Sequence, residues 1–199
     1  MKIPAQYFVV YFILSLVPPG LAQSTFDFSN YSPHQGLDSP VFDASGNRIF
    51  GSDFVAVLYG GPTVDSLQLA DYVAAIPMVP VPFTYIPGNG LTGYFTTPGG
   101  YVIIENVPCC GLNPPWLQVK VWDSRLGSIY EAVAALGTGG YGESPLFQAR
   151  GGDLFGSPPP QPLIGLQSFS LRAEVPEPST WLLFLLGVPV ILFRKGLFR

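Results

Sequence analysis

The sequence has little of the chemistry that metal centres and common catalytic sites require. It contains one histidine, His34, and two cysteines, so the nitrogen and sulfur ligands of a zinc site are scarce. No serine motif of the GxSxG type occurs, and His34 has no evident partner to orient it as a base. We therefore expect no metal, no cofactor and no catalytic residue. Scattered carboxylates keep a secreted hydrolase as the least favoured alternative.

Basic residues are also scarce, with nine Lys and Arg against 13 Asp and Glu. Four of the nine lie in the two terminal blocks, which leaves residues 23–173 with five basic and eleven acidic side chains. The five are Arg48, Lys120, Arg125, Arg150 and Arg172. Such a domain has no basic patch to neutralise phosphates, so we expect no nucleic-acid partner.

Glycine and proline are abundant, with 23 and 22 residues, and prolines at this density exclude long helices. They separate short aromatic and β-branched runs, which indicates an all-β domain over 23–173, a β-sandwich or jelly roll. FDASGNRIF predicts a hairpin with positive φ at Gly46 and Asn47. SIYEAVAAL is compatible with a short helix or a strand. The predicted strands lie in STFDFSN, SDFVAVLYGG, GYFTTPGGYVIIENV, WLQVKVWD, ESPLFQAR and LQSFSLRA.

The first 22 residues have the layout of a secretory signal peptide. Lys2 precedes an apolar stretch from Tyr7 to Val17, which Pro18, Pro19 and Gly20 end. Small residues Gly20 and Ala22 suit cleavage before Gln23. The alternative is a buried N-terminal helix or strand. Export is the favoured interpretation, because the apolar length and the proline break fit the signal pattern. The apolar run is too short for a comfortable membrane span.

The last block, 174–199, combines an apolar run with a basic end. As a helix, 181–193 reaches only about 20 Å, against about 30 Å of hydrocarbon. Arg194, Lys195 and Arg199 follow at once, and positive charge after an apolar segment holds that side in the cytoplasm. The pattern predicts a weak single-pass anchor helix. Its apolar residues are Trp181, Leu182, Leu183, Phe184, Leu185, Leu186, Val188, Val190, Ile191, Leu192 and Phe193.

The complete tail, VPEPSTWLLFLLGVPVILFRKGLFR, resembles the PEP-CTERM protein-sorting domain. The family's motif falls on Pro176, Glu177 and Pro178, followed by the apolar segment and the basic end. Two prolines around the glutamate prevent helix and strand pairing and keep the peptide extended. The one departure is Pro189, which interrupts the apolar segment. An ordinary C-terminal anchor is the alternative.

This resemblance implies an exported protein of a Gram-negative bacterium. It implies that the chain is membrane-anchored first, is then recognised by an exosortase, and finally reaches the cell surface or the extracellular exopolysaccharide matrix. GLDSPVFDASGN, YGGPTVDSL, LQVKVWD and GLQSFSL further resemble a secreted domain found in front of such tails. That second resemblance implies a compact β domain and no particular activity.

Cys109 and Cys110 are adjacent, and after export they would meet oxidising conditions. Their Cα atoms lie only about 3.8 Å apart across a trans peptide, so a disulfide between them closes a strained small ring. Three outcomes stay open: a vicinal disulfide at a stiff loop tip, cross-links to another chain, or two reduced or separately packed thiols.

Two further groups have both a structural and a binding interpretation. Asp38, Asp43, Asn47 and Asp53 carry oxygens on turns, where hairpin chemistry is favoured over a calcium site. In WLQVKVWD, Leu117, Val119 and Val121 share one face, which places Trp116 and Trp122 together on the other. Two tryptophans on a solvent face would suit stacking on sugar rings.

The sequence thus favours a non-catalytic surface or matrix protein, sorted through its tail. A carbohydrate-binding module that contacts exopolysaccharide is the alternative.

Overall fold

The computed structural model describes residues 23–73, 76–83, 91–97, 100–109, 113–153 and 156–173. The signal peptide predicted over 1–22, the sorting and anchor segment predicted over 174–199, and Cys110 lie outside the described residues. No helix within the described ranges has the length and apolar character needed to cross a membrane.

The described part is mostly β, as the glycine and proline content predicted. It holds one short α-helix, α1 (Tyr130–Leu136), and a 3₁₀ helix at Pro33–Gln35. Its strands are β1 (Gln23–Asp27), β2 (Tyr31–Ser32), β3 (Leu37–Asp38), β4 (Val41–Phe42), β5 (Gly51–Gly61), β6 (Gln68–Leu69), β7 (Asp71–Val73), β8 (Ile76–Pro77), β9 (Val81–Phe83), β10 (Val102–Glu105), β11 (Trp116–Asp123), β12 (Tyr141–Glu143), β13 (Phe147–Gln148), β14 (Gln161–Pro162) and β15 (Phe169–Ser170).

Two main sheets organise these strands. One has the order β14-β1-β10-β7-β8, and the other has the order β12-β11-β5-β6, with β13 on β11 and β9 on β5. The pairs β15-β4 and β2-β3 are small additions. The longest ladder joins β11 and β5 antiparallel, from Trp116 opposite Gly61 to Asp123 opposite Phe54. This ladder is the framework on which the polar clusters described below are built.

The inner face of β11 follows the predicted alternation. Leu117, Val119 and Val121 are all 0% exposed. Glycine lets the other sheet approach here, since a Cβ on Gly60 of β5 would lie 2.7 Å from Cδ1 of Ile104 on β10. The core therefore includes side chains from both main sheets.

Helix α1 settles the open alternative for SIYEAVAAL. Five of its seven residues are good helix formers, three alanines, a leucine and a glutamate, and it ends at Gly137, whose φ of 69° favours glycine. Its own residues Tyr130 and Val133 are buried, and the helix packs on β11 and β12. It therefore covers part of the face of β11 that lies opposite Leu117, Val119 and Val121.

Several local predictions are refined. The segment FDASGNRIF does turn back on itself, with Gly46 at φ 85° and a bridge between Phe42 and Arg48. The expected positive φ at Asn47 is wrong, because Asn106 is the one non-glycine residue with positive φ among those described. Of the two strands expected in GYFTTPGGYVIIENV, the second forms as β10, whereas the described residues 93–97 of the first contain only a single bridge, from Thr96 to Ser29.

Candidate functional site

A charged and aromatic cluster occupies the outer face of β11 beneath α1. The Lys120 Nζ atom lies 3.1 Å from Oε1 of Glu131, 3.9 Å from the ring centroid of Tyr59 and 4.8 Å from that of Tyr130. The Lys120 side chain is only 16% exposed. A cation enclosed by two rings and a carboxylate is neutralised in place, so Lys120 is a structural group here.

The two phenols of this cluster also bind carboxylates. Tyr59 donates to Oε1 of Glu131 at 2.7 Å, and Tyr130 donates to Oε2 of Glu143 at 3.3 Å. Burial, and then the neighbouring carboxylate, raise the pKa of each phenol above its ordinary value. Burial opposes ionisation of Glu131, but hydrogen bonds from Tyr59 and Lys120 outweigh it and lower the pKa of that carboxyl. The raised pKa values keep the Tyr59 and Tyr130 hydroxyls protonated at neutral pH, and the lowered pKa keeps Glu131 ionised.

The expected pair of solvent-facing tryptophans is not formed. Trp122 is 2% exposed, its Nε1 donates to the carbonyl of Gly127 at 2.9 Å, and its ring meets Tyr130 edge-on. The facing direction was predicted correctly, but α1 folds over that end of β11 and removes it from solvent. Trp116 is half-buried at the other end of the strand, opposite Gly61. The predicted pairing of Trp116 and Trp122 as a sugar-stacking surface is therefore wrong, and of the two only Trp116 is partly exposed.

The acidic turn residues take separate hydrogen-bond partners. Oδ1 of Asp43 accepts from the backbone N–H groups of Ser45 and Asn47, both at 2.8 Å, and these hydrogen bonds lower the pKa of Asp43. Asp38 accepts from the Tyr94 hydroxyl at 2.6 Å, and Asp53 lies 3.4 Å from Arg125. Within the described ranges, no three or more His, Cys, Asp or Glu gather as metal ligands would. Turn chemistry accounts for Asp43.

The histidine and the two cysteines are the remaining residues that the sequence singled out. His34 is exposed in the 3₁₀ helix at Pro33–Gln35. Cys109 is half-buried, and Cys110 lies outside the described residues, so the three alternatives for the cysteine pair stay as predicted.

A polar cavity of about 150 Å³, which the sequence did not predict, lies where β5, β6, β7 and β10 meet. Its polar side chains are Ser66, Gln68, Asp71, Glu105 and Asn106. The turn at residues 62–66 closes one wall, because Ser66 approaches β5 so closely that a Cβ on Gly61 would lie 2.3 Å from its carbonyl oxygen. Asp71 stands opposite Ile103 in the β7–β10 ladder, two residues before Glu105. This register brings two carboxylates to the same cavity.

An open cleft of about 370 Å³ lies beside the last described residue, Ala173. Arg125 forms one wall, and its Nε contacts both carboxylate oxygens of Asp123 at 2.9 and 3.1 Å. These bonds lower the pKa of Asp123. Arg172 forms another wall and stacks on Tyr141, with 5.1 Å from the guanidinium carbon to the ring centroid. Two arginines therefore line the cleft beside Ala173.

No protein-family model matches the chain, and neither a curated protein nor a solved structure does. The function is therefore argued from the sequence and geometry of this chain.

Proposed function

We propose that the chain is an exported, non-catalytic surface or matrix protein, sorted by an exosortase through its PEP-CTERM-like tail. The observation that carries the proposal is the order of three features in 174–199: Pro-Glu-Pro, an apolar segment and a basic end. An extended peptide before a weak anchor is accessible to a membrane protease, and the basic end sets the orientation of the anchor.

The hydrogen bonds of the last described residues support a sorting motif that lies outside the folded domain. Leu171 donates to the carbonyl of Phe42 at 2.8 Å, and Arg172 donates to that of Tyr141 at 2.7 Å. The hydrogen-bonded fold thus continues to Arg172, and the Pro-Glu-Pro motif begins four residues later. Cleavage at the motif would leave these contacts in the released domain.

We also propose that the two main sheets form a β-sandwich. Support comes from the close approach of Ile104 on β10 to Gly60 on β5, and from buried side chains on both sheets, such as Phe26 and Leu117 at 0% exposure. A sandwich exposes its outer faces and loops, which suits a protein that acts through its surface.

The ion pairs of the domain favour a non-catalytic role. Lys120 pairs with Glu131, and Arg125 pairs with Asp123 and Asp53. Such pairs are held in fixed geometry by charge and hydrogen bonds, whereas a catalytic acid or base needs a pKa matched to the working pH. The acidic balance also makes neutral sugars or bridging cations better matrix partners than polyanions.

A secreted hydrolase is the second candidate, because Asp71 and Glu105 line one cavity and glycosidases use two carboxyl groups. The assay that separates the candidates is hydrolysis of host exopolysaccharides by the purified protein. Turnover lost in Asp71→Asn and Glu105→Gln, but kept in Asp65→Asn on the exposed neighbouring loop, would make the protein an enzyme.

The sorting proposal is tested by changing the motif in a Gram-negative host that has an exosortase. In the variant with Pro176, Glu177 and Pro178 all replaced by Ala, we expect the chain to stay in the membrane fraction, because the protease loses its recognition sequence. Glu174→Ala is the matched control, since it removes a nearby carboxylate and should be released normally. Unchanged release of the triple variant would contradict the proposal.

A further inference from the structure

The outer face of α1 is apolar, which is unusual for a surface helix. Ala132, Ala135 and Leu136 stand at i, i+3 and i+4 and are all exposed. Ile129, just before the helix, is 56% exposed, and Leu136 is 57% exposed. A surface helix normally turns polar residues outward. Here the one charged residue of the helix, Glu131, is 53% exposed, but its carboxylate bonds to Lys120 and Tyr59 on the sheet.

A further exposed aliphatic residue joins this face to the end of the domain. Leu126 is 39% exposed, and its Cδ1 would lie 2.8 Å from a Cβ on Gly140. The Gly140 N–H donates to the carbonyl oxygen of Arg172 at 3.1 Å. Leu126 therefore lies beside Gly140, which is bonded to Arg172 near the last described residue. We call Leu126, Ile129, Ala132, Ala135 and Leu136 the α1 face.

We propose that the α1 face docks on the lipid surface while the tail anchors the chain, an inference that rests on the proposed function. Residues 174–180 separate Ala173 from the apolar segment and span at most about 25 Å when fully extended. The end of the domain that carries Arg172 is thus held close to the headgroups. A tether of this length gives the α1 face a high effective concentration at the membrane, so a weak contact suffices.

The cations near the α1 face are already paired within the domain. Lys120 is neutralised beneath the helix by Glu131, and Arg125, which precedes Leu126, pairs with Asp123 and Asp53. The contact with lipid therefore depends on the aliphatic side chains, which insert at the boundary between headgroups and acyl chains as those of interfacial helices do.

A second copy of the chain fits this face less well. The helix has seven residues and is about 10 Å long, whereas a stable protein interface buries about 800 Å² on each partner. A lipid surface needs no such area from the helix, because the tail supplies the main attachment.

The test places the full chain in vesicles of phosphatidylethanolamine and phosphatidylglycerol that contain a phospholipid with a diazirine near its headgroup. After illumination, flotation separates vesicles and mass spectrometry locates the labelled peptides. We expect labelling within 126–136, reduced severalfold by Ile129→Ser with Leu136→Ser, and flotation unchanged. The matched control is Ile76→Ser with Val79→Ser, which changes two other exposed aliphatic residues and should leave labelling within 126–136 intact.

Each other outcome overturns the inference in a distinguishable way. A chain that floats but is labelled only within 174–199 keeps its anchor and lacks the docking contact. A chain that does not float contradicts the anchor of the proposed function and, with it, the docking. If a bifunctional diazirine reagent, added separately to the same vesicles, links 126–136 to residues 181–193 or to a second copy, the face belongs to that occupant. Cooperative thermal unfolding of each variant confirms that lost labelling does not reflect an unfolded domain.

Discussion

At the scale of single residues, the sequence predicted which side chains of β11 share a face. It did not predict which of those side chains another element would cover. Leu117, Val119 and Val121 are buried as their spacing indicated. Trp122 also faces the predicted side, yet a helix that begins eight residues later covers it. Asp71 and Glu105 share a cavity because β7 pairs with β10, and that register depends on long-range pairing, which local spacing does not contain.

Tyr94 gives a residue-scale prediction of pH dependence. Burial, and then its hydrogen bond to Asp38, raise the pKa of Tyr94 to about 12. The folded state thus binds this proton more tightly than the unfolded chain does, where the pKa is about 10. The stabilisation is fully present below about pH 10 and is lost as the pH rises toward 12.

We therefore expect the free energy of unfolding, measured with urea, to fall as the pH rises above 10. At neutral pH, Tyr94→Phe should lower the free energy of unfolding by about 1 kcal/mol, because it removes the hydrogen bond to Asp38. Above pH 10, the free energy of unfolding of this variant should fall less steeply than that of the wild type. Tyr59 and Tyr130 also have raised pKa values, so some decline remains in this variant. A variant that follows the wild-type slope would contradict the assignment.

At the scale of elements, glycines and prolines indicated where strands end, and the β content followed from them. The sequence left open whether the segment after β11 forms a helix or a strand, because SIYEAVAAL contains both helix-forming alanines and the β-branched Ile129 and Val133. Packing of Tyr130 against Trp122 and Tyr141 decides it, and that packing depends on the sheet beneath.

Two adjacent glycines at the end of β5 provide the element-scale prediction. A Cβ on Gly61 would meet the backbone carbonyl of Ser66, which cannot move without opening the 62–66 turn. A Cβ on Gly60 would meet the buried side chains of Ile104 and Leu117, which can shift more easily than a backbone carbonyl held in a turn. We expect Gly61→Ala to cost about 1–3 kcal/mol of unfolding free energy and Gly60→Ala to cost less. Equal costs in chemical denaturation would show that the turn does not hold β5 as described.

At the scale of the whole molecule, we propose that the chain consists of a β domain over 23–173 and a tail that directs its sorting. The most direct test is the intact mass of the chain recovered from the cell surface or medium of a host with an exosortase, compared with the same strain lacking it. With the protease, we expect a product that begins at Gln23 and ends between Ala173 and Trp181. Without it, we expect the chain to end at Arg199 and to stay in the membrane fraction. A released chain that ends at Arg199 in both strains would contradict the account.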